Sequence, residues 1–105
     1  VTIVDVQAAV FTPHCAVGGC HVGPDAPFDL DLGSAAASAA NTIDVASGEM
    51  PSLLRVSPGN AADSYLYMKV NGDPRILGER MPANAAPLSS ADLDLIVRWI
   101  DGGAR

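Results

Sequence analysis

The chain predicts a small all-α domain of about four short helices joined by long loops. Three observations carry this. Leu93, Ile96, Val97 and Ile100 recur at helical spacing behind a capping residue, Ser89. No stretch shows the alternation of a half-buried strand. Glycine and proline cluster between the periodic segments, where they punctuate loops. A length of 105 residues suits one domain spanning 1–105.

The first helix is expected over Thr2 to Phe11. Thr2 and Asp5 have capping-box spacing, Ile3, Val6 and Val10 make one apolar stripe, and Pro13 is expected to stop it. His14 to Leu32 reads as loop. Ser34 is an N-cap for a helix through Ala40. Asn41 to Gly59 reads as irregular, with a short strand or turn around Ile43 to Val45. Asn60 and Asp63 mark the start of a helix from Ala61 to Val70, with Ala62, Leu66 and Val70 inward and Tyr65 beside them. Gly72 and Pro74 end it. Residues 71–88 form a second long loop. Ser89 and Asp92 then cap the clearest helix, which Gly102 and Gly103 terminate.

Composition bounds the function. Twelve acidic against six basic residues give a formal charge of −6, so nucleic acid and anionic membranes are not the partners predicted. Hydrophobic residues are 49% of the chain, which excludes disorder. Much of that is alanine and only 5% is aromatic, so the protein core is thin at about 25 cal/mol per Å² of buried apolar area. A large flat cofactor would supply the missing apolar surface. No apolar run reaches the roughly 20 residues of a membrane span. No basic n-region followed by an apolar h-region opens the sequence, as in a mature, processed form.

The chemistry concentrates in His14-Cys15-Ala16-Val17-Gly18-Gly19-Cys20-His21, which holds both cysteines. Three readings compete. Two thiols can bond the vinyl groups of a haem while the histidine after the second cysteine binds iron; the common spacing is C-x-x-C-H, and here four residues intervene. The longer segment must bulge, which Gly18 and Gly19 permit. A structural zinc needs four converging ligands, and the adjacent Cys20 and His21 are poorly placed to share one ion. A local disulfide is the third reading; it leaves His21 without a role.

The second half carries a resemblance. Arg80-Met81-Pro82, Leu88-Ser89, Ile96, Trp99-Ile100 and Gly102-Gly103-Ala104 resemble the distal end of class I c-type cytochromes. Val10-Phe11, Cys15 and Cys20-His21 match the front end. Arg55-Val56-Ser57-Pro58-Gly59-Asn60, Ser64-Tyr65-Leu66 and Lys69 are similar to small bacterial monohaem domains. The resemblance implies a cytochrome c fold around one covalent haem c, bound through Cys15 and Cys20. It implies His21 and Met81 as iron ligands and Arg55 near a propionate, with Arg80 as its alternative; Tyr65 and Tyr67 read as walls of the haem pocket or as half-buried helix residues. A backbone carbonyl at Gly23-Pro24 is expected to accept from the His21 ring. Met50, also before a proline, is the rival to Met81; Met68 reads as core. Trp99 reads as a packed residue at a helix contact, and His14 as exposed.

Six-coordinate His/Met iron favours electron transfer, so the resemblance implies an electron carrier and not an enzyme. It implies a periplasmic or exported location and a redox partner with a basic docking patch. The alternatives are a haem enzyme or gas sensor with a labile distal ligand, the cytochrome domain of a larger oxidoreductase, and a haem-free disulfide module.

Overall fold

The Asp5 carboxylate accepts from the Thr2 backbone N–H at 2.8 Å and starts the first helix. In the computed structural model, which describes Val1–Arg105, helix α1 (Ile3–Val6) runs straight into a π-helical segment, Gln7–Cys15. Pro13 therefore does not stop the helix. A proline ring clashes with the carbonyl four residues back in an α-helix. In the wider π turn the hydrogen bond reaches back five residues, as in the 2.7 Å bond from Ala16 N–H to the Phe11 carbonyl. The consequence is that Cys15 sits at the end of a rigid element.

A single 3₁₀ turn follows at Pro27–Asp29, and then helix α2 (Ala35–Thr42), whose Ser34 cap accepts from Ala37 N–H at 3.1 Å. The region around Ile43 forms no strand. Ile43 pairs with Val56 and Ala46 with Leu54 as isolated bridges.

The helix expected from Ala61 to Val70 is broken. A 3₁₀ turn, Ala61–Asp63, is separated from helix α3 (Tyr65–Asn71) by an extended Ser64. Local hydrogen bonding accounts for the break. The buried Ser64 hydroxyl donates to the Asn60 carbonyl at 2.8 Å and accepts from Ser57 N–H at 2.8 Å. The first amides of α3 pair with the preceding loop, Tyr65 N–H to Leu54 and Leu66 N–H to Arg55, both at 2.9 Å. The offset also turns Ala62 outward and puts Ala61 in the core. Gly72, in the left-handed region at φ +76°, ends α3 as expected. Helix α4 (Ser90–Asp101) begins where Ser89 accepts from Asp92 N–H at 3.1 Å.

The core lies where α1 meets α4. Val6, Val10, Phe11, Ile96, Trp99 and Ile100 are buried to within 1% of complete. The Phe11 ring meets Trp99 edge-on, centroids 6.2 Å apart and planes at 83°. Trp99 is thus the packed helix-contact residue the sequence predicts. Its indole N–H donates to the Arg105 carbonyl at 3.0 Å, an atom that also accepts from Ile3 N–H. Alanine-rich α2 has little apolar surface and joins the π-helical segment through polar groups instead. Buried Gln7 donates to the Leu32 carbonyl at 2.8 Å and accepts from the Ser38 hydroxyl at 2.6 Å. The Cα radius of gyration is 12.1 Å, close to the roughly 13 Å of a single domain this long.

Two predictions follow from this packing. Trp99→Ala should cost about 3–5 kcal/mol of unfolding free energy, read from the midpoint of urea denaturation at unchanged slope. On the surface, Arg75 donates to Asp63 and Asp73 at 3.0 and 2.9 Å, and holds the Asp73 carboxyl down at about 2. The stabilisation is present above the ordinary carboxylate range and is lost as pH falls through about 2. In Arg75→Ala, NMR titration should find the Asp73 pKa raised, short of a full return because the residue-75 backbone N–H still donates to its carboxylate.

Candidate functional site

One cavity of about 370 Å³ opens among the loops, within the roughly 300–1,000 Å³ range of small-molecule sites. Leu30, Leu32, Leu66 and Val70 give it apolar walls. Cys15, Cys20, His21, Arg55, Tyr65 and Met81, the six residues the sequence singles out, all line it.

The two thiols are presented differently. Cys15 ends the π-helical segment and is half-buried; Cys20 is exposed, and neither is bonded to the other. Between them the chain turns through Gly19 at φ +81°, with Cys20 N–H donating to the Val17 carbonyl at 2.9 Å. Only the second glycine of the pair takes positive φ. His21 N–H then returns to the Cys15 carbonyl at 2.9 Å, so this backbone closes on itself and fixes where the imidazole starts. Burial, with a smaller contribution from Cys20, pushes the Cys15 thiol up to about 11.

The His21 ring is held by Leu30, not by the Gly23-Pro24 turn. Its Nδ1 lies 3.1 Å from the Leu30 carbonyl. A carbonyl only accepts, so Nδ1 carries the proton and Nε2 keeps its lone pair. Leu30 serves because the 3₁₀ turn folds back beside His21, where Leu32 N–H also donates to the His21 carbonyl at 2.8 Å. Burial lowers the His21 pKa, the Leu30 bond opposes this, and the Arg55 charge adds to the lowering. The neutral imidazole is the form that binds metals.

Of the three methionines, Met81 alone lines the cavity. Met68 is fully buried in the protein, and Met50 sits in a turn closed by Leu53 N–H on the Met50 carbonyl at 2.9 Å. Of the two arginines the resemblance offers for a propionate, Arg55 lines the cavity and Arg80 does not. Arg55 is buried and donates to the carbonyls of Asn41 at 2.8 Å and Phe28 at 2.7 Å. Burial pulls its pKa down, and Asp29 offsets part of that. Two of its five N–H groups are thereby used for the fold. Tyr67 is absent from the cavity wall. His14 is exposed as expected, with its Nε2 3.6 Å from the Asp92 carboxylate.

Glu49, Phe28 and Gly48 also line the cavity without a role in the sequence reading, and Lys69 enters that reading only through the resemblance. Glu49 and Lys69 line the wall and pair at 2.9 Å. Lys69 is four residues after Tyr65 on α3, so both fall on one helix face; that spacing was the available signal. Phe28 sits at φ +56°, a costly region for an aromatic residue, while Arg55 holds its carbonyl. Gly48 lies so close that an added Cβ would stand 2.6 Å from the Phe28 ring, so only glycine fits.

No group of three His, Cys, Asp or Glu side chains converges to hold a metal ion. Compared with family models, curated proteins and solved structures, the chain matches none.

The two free thiols should be distinguishable by their reactivity. Cys20 is exposed and Cys15 is half-buried with a raised pKa, and the thiolate is the reactive form. Iodoacetamide at mildly alkaline pH should modify Cys20 first and Cys15 at least about tenfold more slowly, read by peptide mass spectrometry over time. Equal rates would show that burial does not control Cys15.

Proposed function

We propose that the chain is a mono-haem c-type cytochrome domain that carries one electron and works outside the cytoplasm. The observation that carries this reading is the gathering of Cys15, Cys20, His21 and Met81 around one apolar-walled cavity. The donor set fits the group. The cavity offers two unbonded thiols, a neutral imidazole with a free Nε2, and one thioether.

In this reading Cys15 and Cys20 anchor the porphyrin edge and His21 Nε2 and Met81 sulfur take the iron. Bound there, the haem supplies a one-electron couple, and thioether ligation raises its potential. The chain's own residues do the rest. Leu30 keeps the His21 ring in one tautomer and orientation. Leu30, Leu32, Leu66 and Val70 exclude water from the cavity. Arg55 brings a positive charge to the wall through a side chain already fixed by two carbonyls. That charge and its remaining donors suit a propionate.

The net charge of −6 suits a partner with a basic docking patch. Opposite charges raise the association rate, and salt screens the effect. Electron exchange with such a partner should slow as ionic strength rises; a flat dependence would remove the electrostatic part of the proposal.

Denaturing mass spectrometry and an oxidised-minus-reduced visible spectrum test the assignment. Protein matured in a host that attaches haem c should carry the haem mass and should lose it in Cys15→Ala/Cys20→Ala. His21→Ala should give no stable holoprotein. Met81→Ala should lower the potential and let carbon monoxide bind the reduced form, while Met50→Ala leaves the spectrum unchanged. A colourless product with the bare polypeptide mass would overturn the proposal.

A further inference from the structure

The loop from Gly72 to Leu88 has no helix or strand of its own, yet it delivers Met81 to the cavity. Between Leu77 and Pro87 its hydrogen bonds to the rest of the chain are few, and all go to α3. Leu77 N–H donates to the Tyr65 hydroxyl at 3.0 Å. The Lys69 ammonium donates to the Leu77 carbonyl. Met81 N–H donates to the Lys69 carbonyl at 2.9 Å.

Glu49 joins the two side chains from the opposite loop. Its Oε1 accepts from the Tyr65 hydroxyl at 3.1 Å and pairs with Lys69 Nζ at 2.9 Å. Tyr65 and Lys69 are both buried. A buried ammonium needs a counter-charge, and a buried tyrosine hydroxyl needs a partner. One carboxylate oxygen meets both needs. The two side chains thus grip both polar groups of one peptide residue, four positions before Met81. Gly78 follows at φ +70°, 3.6 Å from Lys69 Nζ and 3.7 Å from the Glu49 carboxylate at its would-be Cβ, so the chain passes close over the pair.

We propose that Glu49, Tyr65 and Lys69 are positioning residues that clamp Leu77 and so keep the Met81 thioether in the cavity. The clamp acts through backbone and not by touching the iron. It rests on the reading of His21 and Met81 as ligands. Weakening the clamp frees the loop, so an added ligand competes more easily with Met81 for the metal.

The test uses holoprotein and imidazole at mildly alkaline pH, where the probe is neutral and has no charge to interact with the one removed at Lys69. Tyr65→Phe keeps the ring and removes one grip; Lys69→Met removes the other. Each should bind imidazole to the oxidised protein about tenfold more tightly than the parent, the scale of one lost hydrogen bond. Ser38→Ala breaks a buried polar contact between the π-helical segment and α2. It serves as the stability control and should stay within about twofold of the parent. Unchanged affinity in Tyr65→Phe and Lys69→Met, or an equal gain in Ser38→Ala, would overturn the clamp. If the protein carries no haem, the functional reading fails separately. The clamp is then decided in the haem-free chain by amide exchange at Met81. Faster exchange in both variants than in Ser38→Ala upholds it, and equal exchange overturns it.

Discussion

The contact of Phe11 with Trp99 fixes the rest of this molecule. It ties the first helix to the last, and the cavity is built from what those helices lead into. The π-helical segment carries Phe11 on its inner face and ends on Cys15. The last helix follows the loop that carries Met81. With the two helices in register, the first thiol and the thioether come to one cavity although 66 positions separate them in the sequence (81 − 15). An aromatic pair this deeply buried suits that role, because protein interiors transmit displacement instead of absorbing it.

Around the cavity, electrostatics follows from burial. His21 is driven toward its neutral form, Cys15 toward its protonated form, and Lys69 is matched by Glu49. Charges that enter the wall come with partners, and those without partners are neutralised. The acidic excess stays largely on the outside, where water and salt moderate it. An apolar-walled chamber inside a negatively charged surface is therefore what this composition produces. It also accounts for the apparent thinness of an alanine-rich core, since the largest buried side chains gather where the first helical run meets α4.

Much of this was legible in the sequence. The caps at Ser34 and Ser89 and the glycine stop at Gly72 hold because each depends on a local hydrogen bond or a single backbone angle. The six candidate residues share a cavity because Cys15, Cys20 and His21 are adjacent by chain connection, and the loop before α4 must pass nearby. What was not legible depended on distant partners. Pro13 is tolerated because a π turn moves the carbonyl it would strike. Ser64 breaks a helix because its hydroxyl has better use in Ser57 and Asn60. The carbonyl for His21 comes from Leu30, because the chain doubles back beyond the glycine turn. A buried Lys69 matched by a half-buried Glu49 is indistinguishable in sequence from two solvated charges.

The wide-turn segment also limits how the molecule can drift. Ala8 and Ala9 face solvent and should accept many side chains. Chain length there is a different matter. Adding or deleting one residue between Phe11 and Cys15 would swing the thiol about the helix axis by roughly a quarter turn, while Phe11 stays anchored under Trp99. The stretch is permissive in composition and rigid in count.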